Sequence, residues 1–257
     1  MRRVIIGLVL GLVAIALTLF AFLPAAWLSP LIEKQTGGRI ALGDAQGTVW
    51  DGSAFIGGAP GLNEPVTPLL PGRFSWHLSP VILLGQLDAE LENPLSLSQT
   101  VKLTGSWHEW QLSPAAIVLP AERLAGLGAP LNTIQPSGQM RLSWTPLQLA
   151  HDGNNIELTG AMLLEMTDIA SRLSPIKPLG AYNVALDWRG RDAQMTLKTV
   201  EGPMLLSGSG MLTDGRFQFS GRAEAQTGRE DELANLLNLL GQRRREGNKN
   251  YIALEFH

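Results

Sequence analysis

Three features of the sequence predict a mainly β protein: a single N-terminal transmembrane helix, then a curved antiparallel sheet or sandwich-like body with a few short helices. Residues 4–23 form an uncharged apolar run, apolar and polar residues alternate in segments from residue 73 to the C-terminus, and helical periodicity is confined to short stretches. The composition agrees. The 257 residues are 45% hydrophobic and only 17% charged, with 28 Gly and 16 Pro, which suits a turn-rich β protein and is too apolar for disorder. A net charge of -3 and a pI near 5.8 provide no global attraction to nucleic acid or anionic lipid. The absence of cysteine removes disulfides, thiolate catalysis and cysteine-ligated zinc.

Arg2 and Arg3 precede Val4 to Leu23, of which 14 residues are Leu, Ile, Val or Phe and the rest Gly, Ala or Thr. As a helix this run is roughly 30 Å long, the thickness of a bilayer core. A cleaved signal peptide is the competing reading, but its apolar core would be shorter. Cuts after Ala25 or Ala26 would also place Leu23 or Pro24 where a small residue is wanted. With the arginines on the N-terminal side, the positive-inside rule keeps residues 1–3 cytoplasmic and exports the remainder, to the periplasm in a bacterium. The expected layout is a transmembrane helix over 4–23, a juxtamembrane helix or linker over 24–38, and a periplasmic β-rich domain over 39–257.

Trp27 to Lys34 can continue as a short interfacial helix that Gly37 and Gly38 stop. Beyond it the period changes to two. Phe74, Trp76 and Leu78 alternate with Arg73, Ser75 and His77; Leu87, Ala89 and Leu91 alternate with Gln86, Asp88, Glu90 and Glu92. Leu95, Leu97, Val101 and Leu103 continue the alternation, and the two runs read as a hairpin turning at Asn93-Pro94. Met140 to Trp144, Tyr182 to Trp188, Phe217 to Phe219 and Ile252 to Phe256 repeat the pattern, which marks antiparallel strands with one dry and one wet face. Helical cover is scarce: a turn or two at Ala121 to Leu127 and Asp168 to Leu173, and one amphipathic helix from Glu230, with Leu233, Leu236, Leu237 and Leu240 on one face, to Gly241. Trp-to-Pro strand ends recur around Trp76-Pro80, Trp107-Pro114 and Trp144-Pro146, too unevenly spaced for a solenoid.

Chemistry is sparse. His77, His108, His151 and His257 follow no metal-ligand spacing, and there is neither a Walker A nor a G-x-S-x-G pattern. Gly208-Ser209-Gly210 suggests a bend or bulge. Asp88, Glu90 and Glu92 belong to a wet strand face, and Arg243-Arg244-Arg245 to a solvated helix end. No catalytic, cofactor-binding or metal-binding residue is assigned, and the protein is expected not to be an enzyme.

Gly43-Asp44-Ala45-Gln46-Gly47-Thr48-Val49-Trp50-Asp51-Gly52-Ser53-Ala54 reads physically as a Gly-bounded strand with a tight turn at Asp51-Gly52. With Leu23 to Leu28 and Gly37 to Ile40 before it, this segment resembles the start of protein N of the bacterial type II secretion system. Gln135 to Gly138, Leu142 to Trp144 and the Leu236 to Gly241 helix end are also similar to that family. The resemblance implies a single-pass inner-membrane protein with a periplasmic domain. Such a protein is an accessory scaffold that contacts the outer-membrane secretin and the inner-membrane platform as folded proteins cross the outer membrane. It implies no catalytic residue. A lipid or hydrophobic-ligand carrier with an apolar groove lined by Leu97, Val101, Leu142 and Trp144 is the alternative.

Overall fold

The computed structural model describes residues 2–61, 64–128, 131–152, 155–213, 216–246 and 249–256. The chain opens with α1 (Arg2–Ala21), a single 3-10 turn at Ala25–Trp27 and α2 (Leu28–Gln35). Gly37 and Gly38 end α2 at φ +61° and +79°, as their placement predicts. The side chains at 4, 5, 8, 9 and 17 of the expected span, and those of residues 2 and 3 before it, lie outside the described residues. Among the described residues no helix is long and apolar enough to cross a membrane.

The body follows in order as β1 (Ile40–Gly47), β2 (Asp51–Gly58), β3 (Thr67–Pro68), β4 (Phe74–Leu78), β5 (Gln86–Glu92), β6 (Val101–Ser106), β7 (Glu109–Leu112) and β8 (Ala115–Pro120). A 3-10 segment at Ala121–Leu127 and the one-turn α3 (Leu131–Ile134) lead into β9 (Pro136–Trp144), β10 (Leu147–Asp152) and the long β11 (Asn155–Ser171). Then come β12 (Gly180–Gly190), β13 (Asp192–Glu201), β14 (Met204–Thr213), β15 (Arg216–Ala225), α4 (Glu230–Leu240), β16 (Gln242–Glu246) and β17 (Lys249–Phe256).

Among the described residues these seventeen strands form one open antiparallel sheet rather than two facing layers. Most pair with their sequence neighbours, so the sheet is a meander. β7 and β8 together face β10 and β9 in a single register, and β11 lies along β9 and β10 on one edge and β12 on the other. At the end of the chain β17 pairs with β15, leaving β16 outermost.

The registers sort the side chains by face. Leu142, Leu164, Val184, Leu197, Gly208, Gly221 and Leu254 stand in one cross-strand row; one residue along, the row reads Arg141, Glu165, Asn183, Lys198, Ser207, Arg222 and Ala253. The alternation in the sequence is therefore one dry face and one wet face carried across the sheet.

Two clusters close parts of the dry face. α4 lays Leu233, Leu236 and Leu237 over Tyr182, Met204, Phe219, Ala223 and Ile252. At roughly 1.5–3 kcal/mol for each leucine buried, this helix is the main seal of that end. The second cluster joins Phe74, Val101 and Ala115 to Leu97, with Trp144 against it.

Tyr182 is buried to 1% of its exposed area, and its hydroxyl donates to the Met204 carbonyl at 3.0 Å. Burial disfavours the phenolate and raises the Tyr182 pKa well above the ordinary tyrosine range. The neutral phenol's stabilisation is complete below about pH 10, the unfolded value, and is lost as pH rises through the folded one. Alkaline unfolding monitored by circular dichroism should show this loss, and Tyr182→Phe should remove that part of the pH dependence.

Several sequence expectations are corrected. Leu95 to Thr104 is not one strand: β6 begins at Val101, and the turn at Asn93-Pro94 is not a tight hairpin. Asn93 Oδ1 accepts from the Leu95 and Ser96 amides at 2.9 and 3.0 Å, bending the chain into an Asx turn. Residues 96–98 then run along the outer edge of β8, with Leu97 bridged to Ile117 and the Ser98 amide donating to the Ala116 carbonyl at 2.8 Å. The turn expected at Asp51-Gly52 lies instead at 48–50, because Thr48 and Asp51 exchange hydrogen bonds and Asp51-Gly52 opens β2. Asp168 to Leu173 is not helical. β11 continues to Ser171 through a bulge in which Asp168 adopts φ +53° and the register slips against both neighbours. Gly208 and Gly210 make no bulge; they sit in continuous register, and a Cβ on Gly208 would stand 2.5 Å from the Phe219 ring. They are small so that Phe219 can lie over the sheet. Arg243 to Arg245 form β16 rather than a helix end.

One of the Trp-to-Pro echoes, that at Trp144, has a structural role. The Ser113 amide donates to the Lys102 carbonyl and the Ser113 hydroxyl accepts from the Lys102 amide, both at 2.8 Å, so the Ser113 carbonyl does not receive that amide. Trp144 Nε1 supplies the missing donor at 2.8 Å. Trp144→Phe should therefore cost about 1–3 kcal/mol in urea unfolding by stranding that carbonyl.

Candidate interaction surfaces

The polar groups singled out from the sequence are dispersed. Asp88, Glu90 and Glu92 stand on β5, where Glu90 faces Lys102 across the ladder at 2.7 Å. The hydrogen bond and charge of Lys102 hold the Glu90 carboxyl below the usual range. Glu92 accepts from Thr100 Oγ1 at 2.9 Å. Screened by water, these are contacts of a solvated face. His77, His108 and His151 are all exposed. The last two meet only through backbone, the His151 amide donating to the His108 carbonyl at 2.7 Å. His257 lies outside the described residues. Among the described residues no three His, Asp or Glu side chains gather to hold a metal ion.

Both lateral edges of the sheet are guarded. On β1 the Thr36 hydroxyl, which donates to the Ile32 carbonyl at 2.9 Å, accepts from the Ile40 amide at 3.1 Å, and Ser29 Oγ donates to the Leu42 carbonyl at 3.2 Å, so α2 and the turn after it occupy these edge groups. Asp44, at φ +49°, bulges the same strand and meets Arg73 in an ion pair. Its carboxyl is held below the usual range first by the Gln46 side chain and then by Arg73. At the other end β16 carries Arg243, Arg244 and Arg245, of which Arg244 pairs with Glu255 at 3.0 Å. Bulges, charges and covering helices are the devices that keep a strand edge from recruiting another strand.

The described apolar surface has a different distribution. Leu158, Met162, Leu164, Val184, Leu186 and Trp188 are half-buried on the dry face between the two clusters, and Trp188 Nε1 is enclosed without a hydrogen-bond partner. Of the residues expected to line a groove, Leu97 and Val101 are instead packed in a cluster with Trp144 against them, while Leu142 is half-buried. A second apolar group, Leu83, Leu84 and Trp107, is exposed at the sheet end where α1 joins the body. No sequence motif announced it; the uncharged run from Ser79 to Leu87 was the available signal.

That joint is formed by the Gly43 to Ala54 segment that carries the family resemblance. Trp50 Nε1 donates to the Phe20 carbonyl at 2.9 Å, the Phe20 and Trp50 rings lie 4.8 Å apart, and the Val49 amide donates to the Leu23 carbonyl at 2.9 Å. Trp76 Nε1 holds the same turn through the Val49 carbonyl at 3.0 Å. The family model for type II secretion system protein N matches residues 38–250, from the entry into β1 to the start of β17. The chain belongs to that family. As a member it has a role in type II secretion, and the matched region contains the Gly47 to Gly52 turn and the whole meander through α4 and β16. Searches of curated proteins and of solved structures return no match.

Proposed function

We propose that this member of the family is an accessory scaffold of the secretion machine. On this reading α1 is its single span of the inner membrane, residues 1–3 are cytoplasmic and residues 39–257 periplasmic. It holds the outer-membrane secretin and the inner-membrane platform in position while folded proteins cross the outer membrane. It is not an enzyme, and no nucleic acid is among its partners. The observation that supports the reading best is the joint at residues 48–50. A tether works by setting position and orientation, and a helix hydrogen-bonded into the sheet through Phe20 and Leu23 does so where a flexible linker would not. With both edges guarded, partners meet side chains rather than open backbone.

The test has two parts. An alkaline phosphatase fused to the C-terminus should be active and a green fluorescent protein fused there dark. Photo-crosslinkers placed at the exposed Asp88, Gln148 and Gln218 should capture other secretion components; capture of none would overturn the scaffold. The half-buried dry-face stretch with its unpartnered Trp188 Nε1 favours a second reading, a carrier of lipid or another hydrophobic ligand. Lipid copurifying in stoichiometric amount, and lost in Leu186→Asp, would support it.

A further inference from the structure

We propose that the rim of the sheet beside α1 rests in the periplasmic surface of the lipid bilayer, with Leu83, Leu84 and Trp107 as its inserting side chains. This rests on the reading of α1 as the membrane anchor and adds a second contact to it.

The geometry starts from α1 itself. Leu10, Leu12, Val13 and Ile15 point in different directions around the helix and are all exposed, so α1 leaves the body rather than lying along it. The body nearest its exit is the rim containing Thr48 to Trp50. From there a chain of backbone hydrogen bonds runs along the same end of the sheet. The Leu78 amide donates to the Trp50 carbonyl at 2.6 Å, and the Trp107 amide to the Gly85 carbonyl at 3.2 Å. Antiparallel order puts the end of β4, the start of β5, the end of β6 and the start of β7 on this rim. At about 4.8 Å per strand, Leu83 and Leu84 fall within roughly 10 Å of the joint and Trp107 within roughly 20 Å.

The chemistry of this stretch fits a bilayer surface. Ser79 to Leu87 carries no charge, and its 3-10 segment Pro80–Leu84 turns Val81 and Ile82 partly inward and leaves Leu84 83% exposed. Trp107, 59% exposed, packs beside Gly85, whose φ of +88° and missing Cβ leave room for the indole. Leucine pairs with tryptophan at their edge are what interfacial anchors carry. Farther along the rim Arg191, Asp192 and Arg216 take over, so the apolar patch is confined to the part next to α1. A soluble protein partner is the competing occupant, and the test separates the two.

The chain has no cysteine, so a single introduced thiol is a unique label. L84C, L12C and L95C are each labelled with an environment-sensitive nitrobenzoxadiazole dye in the full chain. The proteins are then reconstituted in vesicles of phosphatidylethanolamine and phosphatidylglycerol, with and without spin-labelled lipid. Leu95 is the control, exposed and apolar but on the opposite rim, between β5 and β6. The expected result is strong loss of emission at 12 and at 84 and none at 95. Loss at 12 without loss at 84 overturns the rim contact and leaves the anchor intact. No loss at 12 overturns the anchor and the rim contact with it. Equal loss at 84 and 95 shows indiscriminate adsorption and overturns the rim contact too.

Discussion

Phe219→Ala should lower the stability of the body by about 3–5 kcal/mol, read as a shift of the urea midpoint followed by tryptophan fluorescence. Phe219 lies in the cluster under α4, and the positions around its ring are glycines: a Cβ on Gly208, Gly210 or Gly221 would approach it to 2.5, 3.1 and 2.7 Å. The truncated site has few side chains that could relax into the space, so the cavity should stay close to its full size. The cost then belongs at the upper end of the range, since the penalty grows with residual cavity volume. A loss under about 1 kcal/mol would mean that the sheet collapses locally onto the vacated volume.

Leu233→Ala should cost about 2–5 kcal/mol, while Leu239→Ala six residues on should stay within about 0.5 kcal/mol. Both are leucines of α4 with similar helix propensity, but Leu233 is 0% exposed against the sheet and Leu239 is 64% exposed. The comparison isolates packing from propensity. If α4 seals the dry face, the Leu233 variant should also expose Tyr182 and lose the alkaline dependence assigned to its buried phenol, whereas Leu239→Ala should keep it.

α4 was legible because its pattern is local. Leucines at i, i+3, i+4 and i+7 with acids in the first turn and Gly241 behind the last have few other meanings. The strands at 74–78, 86–92, 182–188 and 252–256 were legible for the same reason, although the side chain of Phe256 lies outside the described residues. β11 was harder to read. Its paired Leu163 and Leu164 and the Asp168 bulge break strict alternation, and a bulge is settled by the two strands beside it. Residues 95–98 alternate in the sequence, yet Leu95 is exposed, Ser96 is buried and 96–98 pair with β8, because the turn at Asn93, which alternation does not reveal, sets both the face and the partner of this run. The joint at Trp50 and the rim at Leu84 were invisible as sites. Each depends on residues tens of positions apart meeting at one end of a sheet, and neither uses a motif.

By itself the sequence determined the class of the protein and its family. Period-two patterning over most of the chain, an uncharged N-terminal run and one amphipathic helix are consequences of composition and neighbour order, which a reader of residues can count. Tertiary structure decided which strand meets which, that the edges are guarded by Thr36, Ser29 and three arginines, and where apolar surface is left over. Those outcomes are set by hydrogen-bond donors and acceptors that must find partners across the fold, and such partners carry no mark in the local sequence.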